Sequence, residues 1–453
     1  MRCWRTVQTH LPFLLVCGAL VYFATPGYAQ ESQDTSEAQE GATSQQLHYA
    51  DESTPQNSVV VDLNEQTAYD DNVFGDNADR VGSTILQGGA HFGLQEERER
   101  SALSLDYQPE ALFYTAIPGY NQANHYLSLK AKYDPARHFE LRFEDTGSYL
   151  NGISSPGLNA NASPALALSP TFNQTTIVPL ARVFTDEGRA DAIYQSSRRS
   201  TLDFFGSAGD LNFSAVANLQ ESLFNTQAYR GGVDYTYRWS ANSTVGISAL
   251  HENLRYGPSM DEIESPSLTY TWQGKSGLLV SLYGGPEYLR LNDVFISPGV
   301  VSSAPGLAGA RNRESSWNGG GGFSLSWRST RTIVTLSGQR LATDSGGFFT
   351  SVMNTAGSFD VRRSLIRHWD LLIDGVAAQS ASLSPLFRGA ALHDQTGSLK
   401  IERQLSSRLV VQVGYNAGRQ RVYGDFPFLF DMNRNYISLG FFYRVGHIPL
   451  GRH

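Results

Sequence analysis

The sequence predicts an all-β protein, a transmembrane, antiparallel, up-and-down β-barrel of about 18 strands within a range of about 16 to 20. Apolar and polar residues alternate in segment after segment from about residue 58 to the end. Short polar connections alternate with longer, irregular ones, and no segment shows a convincing amphipathic-helix pattern. Strands with one face toward lipid and one toward a lumen explain why the mean hydropathy is negative although a membrane protein is predicted.

Residues 1–29 are predicted to be a secretory signal peptide. Arg2 and Arg5 precede an apolar stretch at residues 11–24, and small residues stand before the expected cleavage point after Ala29. The apolar stretch is too short to be a membrane-spanning helix. We therefore expect the chain to be exported.

Both cysteines, Cys3 and Cys17, lie inside the predicted signal peptide. The alternative, a lipoprotein signal modified at Cys17, is disfavoured because Val16 stands where a small residue is normally required. The mature protein is then expected to need neither disulfides nor a cysteine-bound metal.

Residues 30–57 form a segment rich in Gln, Ser, Thr and acidic residues, with no Lys or Arg. Such a composition predicts a disordered, acidic periplasmic leader. It is too short to be a folded plug domain inside a barrel. The predicted barrel therefore occupies residues 58–453.

The formal net charge is −8, which disfavours nucleic acid as a partner. Nearly all basic residues are arginines, whose planar guanidinium groups suit phosphate and carboxylate partners. This composition fits a protein of a bacterial envelope.

Period-2 alternation is clear within single segments. Around residue 141 the apolar set Phe139, Leu141 and Phe143 alternates with Glu140, Arg142 and Glu144. Several apolar faces end in aromatic residues next to a turn, as an interfacial girdle would, for example Val233, Tyr235, Tyr237 and Trp239. A soluble β-sandwich or propeller is the alternative, and it is disfavoured by these aromatic ends and by the unequal loops.

Short polar turns recur along the chain, and outer-membrane barrels place such turns on the periplasmic side. Eight of them with a strand at each end predict about 18 antiparallel strands and two periplasmic termini. The number of strands is hardest to predict in residues 151–225. The predicted turns are residues 95–98, 134–137, 196–200, 240–243, 273–276, 328–331, 365–368 and 404–407.

The last predicted strand runs from Tyr436 to Val445. Bacterial barrels commonly end on such a strand with a terminal aromatic residue, which barrel-insertion machinery is thought to recognise. Here residues 446–453 overhang the predicted strand, which departs from that pattern.

Val60 to Phe74 reads VVDLNEQTAYDDNVF and precedes strands rich in Tyr, Ser and Arg. This combination resembles the β-barrel porin 2 group of Gram-negative outer-membrane proteins, some of which are similar to barrels associated with exopolysaccharide production. The resemblance implies an outer-membrane location and a channel role. It implies no catalytic residues.

An enzyme is not predicted. A barrel hydrolase needs a nucleophile or water held beside a His and an orienting partner, and the ten His are scattered. His-Glu-x-x-His and Gly-x-Ser-x-Gly motifs are absent from the sequence. Gly274, Lys275 and Ser276 resemble the end of a phosphate-binding loop, but Thr269 occupies the position of its first Gly.

An acidic and amide run follows the first predicted strand, and its oxygens suggest a hard cation such as Ca²⁺. Its spacing matches no known loop, so a solvated extracellular loop is the preferred interpretation and no cofactor is expected. The run consists of Asp70, Asp71, Asn72, Asp76, Asn77 and Asp79.

Charged residues on the predicted lumen face are the main functional candidates, because an inward charge is tolerated where water fills the interior. Their mixed signs argue against strong ion selectivity. The alternative is that opposite charges pair across strands and brace the wall. The predicted lumen-lining residues are Lys130, Lys132, Glu140, Arg142, Glu144, Asp234, Arg238, Lys400 and Glu402.

Residues 151–175 form the longest predicted loop, which either folds into the lumen or forms an outer cap. The four glycines at 319–322 would let a folded-in segment approach the wall closely.

We expect an outer-membrane channel for passive diffusion of small hydrophilic solutes. The main alternative is a non-catalytic barrel of an exopolysaccharide export or assembly system, and a third is a surface adhesin or structural barrel. Expected partners are outer-membrane lipid and lipopolysaccharide, the insertion machinery, solutes or polysaccharide, and further copies in a homotrimer.

Overall fold

A computed structural model describes residues 57–151, 181–215, 223–256, 259–274, 277–294, 311–347, 351–384, 389–424 and 431–449. The predicted signal peptide, nearly all of the predicted leader and the predicted long loop beyond residue 151 lie outside these residues. Within the described residues, no helix is long and apolar enough to cross a membrane.

The described chain is built from strands and one short 3-10 helix at Pro118–Tyr120. The strands are β1 (Ser58–Asp70), β2 (Ser83–Arg98), β3 (Ser101–Tyr114), β4 (Gln122–Ala136), β5 (Phe139–Asn151), β6 (Ala181–Gln195), β7 (Ser200–Ala215), β8 (Thr226–Ser240), β9 (Ser243–Tyr256), β10 (Ser259–Gln273), β11 (Leu278–Val294), β12 (Arg311–Arg328), β13 (Thr332–Asp344), β14 (Ser351–Ile366), β15 (Trp369–Ser382), β16 (Ala391–Gln404), β17 (Leu409–Tyr423) and β18 (Met432–Pro449).

All strands belong to one 18-stranded antiparallel sheet, in which each strand pairs with its neighbours in the chain. β1 pairs with both β2 and β18, which closes the sheet into a barrel. Closure gives every described strand a partner on both sides. The predicted fold class and strand number are confirmed.

One end of the barrel carries the short connections, at residues 99–100, 137–138, 196–199, 241–242, 274–277, 329–331, 367–368 and 405–408. Three predicted turns were placed a few residues too early in the chain, because the polar strand ends at 95–98, 134–136 and 365–366 continue the sheet. At the opposite end the connections vary, and only residues 257–258 separate β9 from β10 where a longer loop was expected.

The apolar set of each strand faces outward and is exposed, as the alternation predicted. Leu127, Leu141, Tyr235 and Phe441 are among the exposed apolar side chains. Such a continuous exposed apolar surface is far larger than a water-soluble monomer tolerates. The outer face therefore requires apolar surroundings.

Aromatic side chains on the outer face form rows across neighbouring strands. Phe92, Tyr107, His125 and Tyr149 lie on four successive strands, with consecutive ring centroids 6.4, 6.1 and 6.5 Å apart. Trp239, beside a short turn, is the most exposed large apolar side chain described. This arrangement is typical of aromatic belts at the two membrane interfaces.

The last strand is longer than predicted at both ends, and half of the predicted overhang belongs to it. Residues 446–449 pair with residues 58–61 of β1 and complete the closure. A register shift beside Val61 and Asp62 accommodates one extra residue, and Gly446 there has a φ of 151°. Glycine suits this bulge because other residues rarely adopt that φ.

Candidate functional site

The inner face of the barrel carries the predicted lumen-lining residues. All nine project from the face opposite the exposed apolar side chains, since each alternates with outward residues such as Leu141, Tyr235 and Leu399. Seven of them lie on β4, β5 and β8, and Lys400 and Glu402 lie on β16. The structure therefore separates them into two groups on different parts of the wall.

A ladder of opposite charges joins β4 and β5. Lys130 Nζ lies 3.3 Å from Glu144 Oε1, and Lys132 Nζ lies 3.2 Å from Glu140 Oε2. Arg142 also pairs with Glu140. The side chains of Lys130 and Glu144 are 39% and 43% exposed, so each pair contributes no more than about 1 kcal/mol. These contacts match the bracing alternative and leave the charges accessible from the interior.

The charged wall continues on β6, β7 and β8 with residues that sequence reasoning missed. Arg189 Nη2 lies 2.6 Å from Asp191 Oδ1, and its guanidinium carbon lies 4.6 Å from the centroid of the Phe205 ring. Asp203 is opposite Asp234 in the sheet. The alternation was obscured because the outward positions of β6 include Asp186 and small residues.

One ion pair of the inner face is almost sealed from solvent. Arg230 Nη2 on β8 lies 2.8 Å from Glu252 Oε1 on β9, and their side chains are only 7% and 3% exposed. Each charge depends on the other because neither is solvated by bulk water. Their burial could not be predicted from the sequence.

The second group of predicted residues is also sealed. Lys400 is 2% exposed and Glu402 is 6% exposed. Gln412 Nε2 donates to Glu402 Oε1 at 2.7 Å, and Asp374 accepts a hydrogen bond from Ser398 close by. The group therefore differs from the accessible ladder of β4 and β5, although both face inward.

A polar lining rich in amides covers the inner face of β1 to β4 and β16 to β18. Asn124 Nδ2 donates to Glu110 Oε2 at 3.2 Å, and Gln87 donates to the other carboxylate oxygen. Arg434 Nε donates to Asp70 Oδ2 at 2.8 Å. Further buried members of this lining are Gln66, Asp394, Gln412, Asn416 and Gln420.

His91 lies on the same inner face, between two carboxylates. Its Nδ1 is 3.4 Å from Asp62 Oδ2, and its Nε2 is 3.0 Å from Asp106 Oδ1. Both ring nitrogens are thus engaged by acids, and Ser104 Oγ donates to Asp106 rather than to the ring. The arrangement is a cross-strand clamp and does not resemble a nucleophile paired with a base.

The acidic run after β1 is tied to β18. The backbone N–H of Asn72 donates to Asp70 Oδ1 at 3.0 Å. Asp71 accepts from the N–H of Asn435 at 2.7 Å, and Asp70 and Asn72 are buried. The expected solvated loop is therefore wrong for these two residues, while Asp79 is exposed. Among the described residues, no group of three or more His, Cys, Asp or Glu could hold a metal ion.

The β1–β2 connection packs an apolar residue into the end of the barrel with the longer loops, which we call the mouth. Val73 is buried in a cluster with Ile85, Leu112 and Tyr114 from β2 and β3. Tyr120 and Tyr436 pack against the cluster. This connection covers part of the inner face at the mouth.

The end of the β13–β14 hairpin leaves the wall and folds inward. The pairing of β13 with β12 ends at Arg340, whereas its pairing with β14 continues to Asp344. Ala342 and Met353 continue the outward alternation of their strands but are buried, in a cluster with inner-face residues such as Leu254 and Leu289. We call residues 341–354, as far as they are described, the inward hairpin end.

Polar contacts fix the inward hairpin end to the inner face of nearby strands. Ser351 Oγ donates to Asp261 Oδ2 at 2.6 Å, and the N–H of Ala342 donates to Glu287 Oε2 at 3.2 Å. The N–H of Phe224 donates to the carbonyl of Gly347 at 2.8 Å. The hairpin end therefore reaches β10, β11 and the segment before β8.

The glycine run on β12 lies beside this inward segment. Gly320 projects toward the inner face, where a Cβ would collide with the side chain of Glu287. A Cβ at Gly319, on the outer face, would meet nothing within 4 Å. The close contact at Gly320 is therefore with Glu287 of the neighbouring wall strand β11, which in turn holds the hairpin end, and the predicted approach of a folded-in segment to the glycines stays a prediction.

Comparisons with known proteins find no matching family model and no matching curated protein. Among solved structures, the chain is similar to Pseudomonas aeruginosa OccK5 (OpdH), at 14% identity and a TM-score of 0.41 over 86% of this chain and 99% of that chain. Acinetobacter baumannii OccAB2 gives 11% identity and a TM-score of 0.43, over 86% and 98%.

The ferric-catecholate import receptor Fiu of E. coli K12 gives 7% identity and a TM-score of 0.40, over 86% of this chain and 82% of that chain. Likenesses this remote carry no functional argument. The barrel is established by its strand pairing, and its function has to be argued from the inner face.

Proposed function

We propose that the protein is an outer-membrane channel through which small hydrophilic solutes diffuse passively. The observation that carries the proposal is the contrast between the two faces of one closed sheet. The outer face is an exposed apolar belt, and the inner face carries solvent-accessible charges such as Lys130 and Glu144. Closed barrels of about 16 to 18 strands are wide enough to leave an aqueous channel.

The mixed charges of the inner wall support a channel of weak ion selectivity. Each accessible cation on β4 and β5 has an acidic neighbour within 4 Å, so neither sign dominates locally. A continuous row of one sign would instead have favoured strong selection of counter-ions. Neutral polar solutes are therefore the proposed principal cargo.

The mouth supports an upper size limit for the solute. The inward hairpin end and the Val73 cluster both occupy inner-face area near the longer loops. Because both are held by buried apolar contacts and hydrogen bonds, they narrow the mouth persistently. Small solutes are favoured over polymers on this ground.

A non-catalytic barrel of an exopolysaccharide system is the second candidate. The amide-rich lining favours it, because amides and carboxylates match sugar hydroxyls. A continuous aromatic track along the lumen would favour it further. Among the described inward aromatics, Tyr114 and Tyr126 lie on the adjacent strands β3 and β4, whereas Phe205, Tyr283 and Phe442 lie on strands that are not neighbours. The finer resemblance to the β-barrel porin 2 group stays a prediction.

Liposome swelling tests the proposal. Proteoliposomes that contain the refolded mature chain should swell in sugars of increasing size at rates that fall steadily with sugar size. Circular dichroism and heat-modifiable gel mobility would report correct folding in the same preparation. A folded barrel that gives no swelling in even the smallest sugar would contradict passive diffusion.

A further inference from the structure

Two arginines project from the outer face of β17 above the apolar belt. Val413 and Tyr415 are exposed outward side chains of that strand. Alternation therefore places Arg419 and Arg421 on the same outer face, and both are exposed. The two charges differ from the rest of this face, because the outward positions of β17 nearer its short turn carry apolar side chains.

Their height on the strand puts both guanidinium groups at the membrane surface. β17 starts at Leu409 beside a short turn, so Arg419 is its eleventh residue and Arg421 its thirteenth. A tilted strand crosses the hydrocarbon core in about 9 to 11 residues. Tyr423 follows on the same face, and its ring centroid lies 4.6 Å from that of His393. Aromatic residues of this kind are typical of the interface.

The residues that pair with the two arginines in the sheet are not acidic. Arg419 is opposite Gln395 on β16 and Asn433 on β18, and Arg421 is opposite His393. Neither arginine forms an ion pair with any residue that the structure describes.

Two acids that the structure describes at this end of the barrel are already engaged. Asp431 Oδ1 accepts from the N–H of Val422 at 3.0 Å, and Asp71 accepts from Asn435 and lies 3.5 Å from Arg80.

Arg290 on β11 shows a different arrangement at the same height. It is the thirteenth residue of its strand and also faces outward. Its guanidinium nitrogens lie 3.1 Å from Glu262 and 3.7 Å from Glu264. The charge of Arg290 is thus neutralised within the protein, whereas Arg419 and Arg421 have no such acidic partner in the described part of the chain.

We propose that Arg419 and Arg421 bind the phosphorylated headgroup of an anionic lipid in the outer leaflet. Guanidinium groups form bidentate, charge-assisted hydrogen bonds with phosphate oxygens. The amides of Gln395 and Asn433 add neutral hydrogen-bonding groups beside them, which suits a headgroup that also carries hydroxyls. The inference rests on the proposed membrane placement and adds a lipid site that the channel itself does not require.

Lipid binding to the refolded barrel in detergent, followed by native mass spectrometry, tests this site. The probes are diphosphorylated lipid A and the same lipid after removal of its phosphates. The double variant Arg419→Gln, Arg421→Gln should bind the phosphorylated lipid at least about tenfold more weakly, because charge-assisted hydrogen bonds are lost. The matched control Arg290→Gln should bind it like the wild type.

Three results of the lipid-binding measurement would overturn the lipid site. They are equal binding of the phosphorylated lipid by the double variant and the wild type, an equal loss in Arg290→Gln, and equal binding of both lipids by the wild type. Self-association that the double variant abolishes would assign the surface to a second copy of the chain and would also overturn it. Incorporation into liposomes, scored by flotation, tests the membrane placement separately.

Discussion

At the scale of single residues, burial decides how much each charge pair of the inner wall contributes. Lys130 and Glu144 stay accessible, so water already stabilises each charge and their contact adds little. Arg230 and Glu252 are sealed, so removing one partner leaves the other charge uncompensated. The same pair of residue types therefore has different energetic roles on neighbouring parts of one barrel.

Substitution of Arg230 by Ala is expected to lower the free energy of unfolding by about 3 kcal/mol, because Glu252 stays buried without its cation. Replacing both partners together, as Arg230→Met with Glu252→Leu, should restore much of the loss. Lys130→Ala is the matched control, with an expected effect below about 1 kcal/mol. Urea unfolding of the refolded barrel in detergent, followed by tryptophan fluorescence, measures all three. Equal losses for Arg230→Ala and Lys130→Ala would refute the argument from burial.

Removing acids from the accessible ladder should change ion preference. Glu140→Gln with Glu144→Gln removes the acids that pair with Lys130 and Arg142, and leaves Lys132 with Asp134. The reversal potential in a salt gradient is expected to move toward anion preference, since local positive potential concentrates anions. Glu264→Gln, an outer-face acid, should leave it unchanged. No shift in the first variant would mean that ions do not pass along this wall.

At the scale of elements, the sequence predicted where strands lie and which side chains share a face, but not the path of every strand. Alternation assigned Leu127 and Phe441 to the outer face correctly. Ala342 and Met353 continue the same alternation, yet they are buried because their hairpin bends away from β12. Period-2 patterning reports orientation relative to a strand, and it contains no information about where a hairpin leaves the sheet.

The missed residues of the candidate site have a related cause. Arg189 and Asp191 alternate as inner-face residues should, but Asp186 and Gly188 occupy outward positions where apolar residues were expected. The lumen-facing direction of Lys400 followed from the pattern, whereas its burial depends on the packing of the folded chain around it. The direction of a side chain can be predicted from the local sequence, whereas its burial depends on the folded structure around it.

Loosening the inward hairpin end should widen the mouth. Asp261→Ala with Glu287→Ala removes the acceptors of the Ser351 hydroxyl and the Ala342 N–H, and each lost hydrogen bond costs about 1 kcal/mol. A larger single-channel conductance and swelling in larger sugars are expected. Glu262→Ala, beside Asp261 but on the outer face, is the matched control. Unchanged conductance in the double variant would show that the hairpin end does not limit passage.

At the scale of the whole molecule, closure depends on the seam between β1 and β18. Residues 446–449, predicted as an overhang, pair with residues 58–61 and lengthen the seam. The sequence did not predict this pairing, because Gly446 interrupts the alternation of apolar and polar residues at the bulge.

Deleting residues 446–453 should lower the yield of heat-modifiable, folded barrel on refolding, because four seam pairs are lost. Deleting residues 450–453, which follow β18, is the control and should leave the yield unchanged. Electrophoresis of unheated samples measures the folded fraction. Equal yields for both deletions would show that the extended seam is dispensable for closure.

The central claim, an open channel inside the 18-stranded barrel, is tested most directly by single-channel conductance of the refolded mature chain in a planar bilayer. Steady steps on the order of a nanosiemens, reduced by sugars small enough to enter, are predicted for an aqueous lumen of this width. A correctly folded barrel that stays silent would contradict the claim. The barrel would then be closed by its own segments or would require a partner to open.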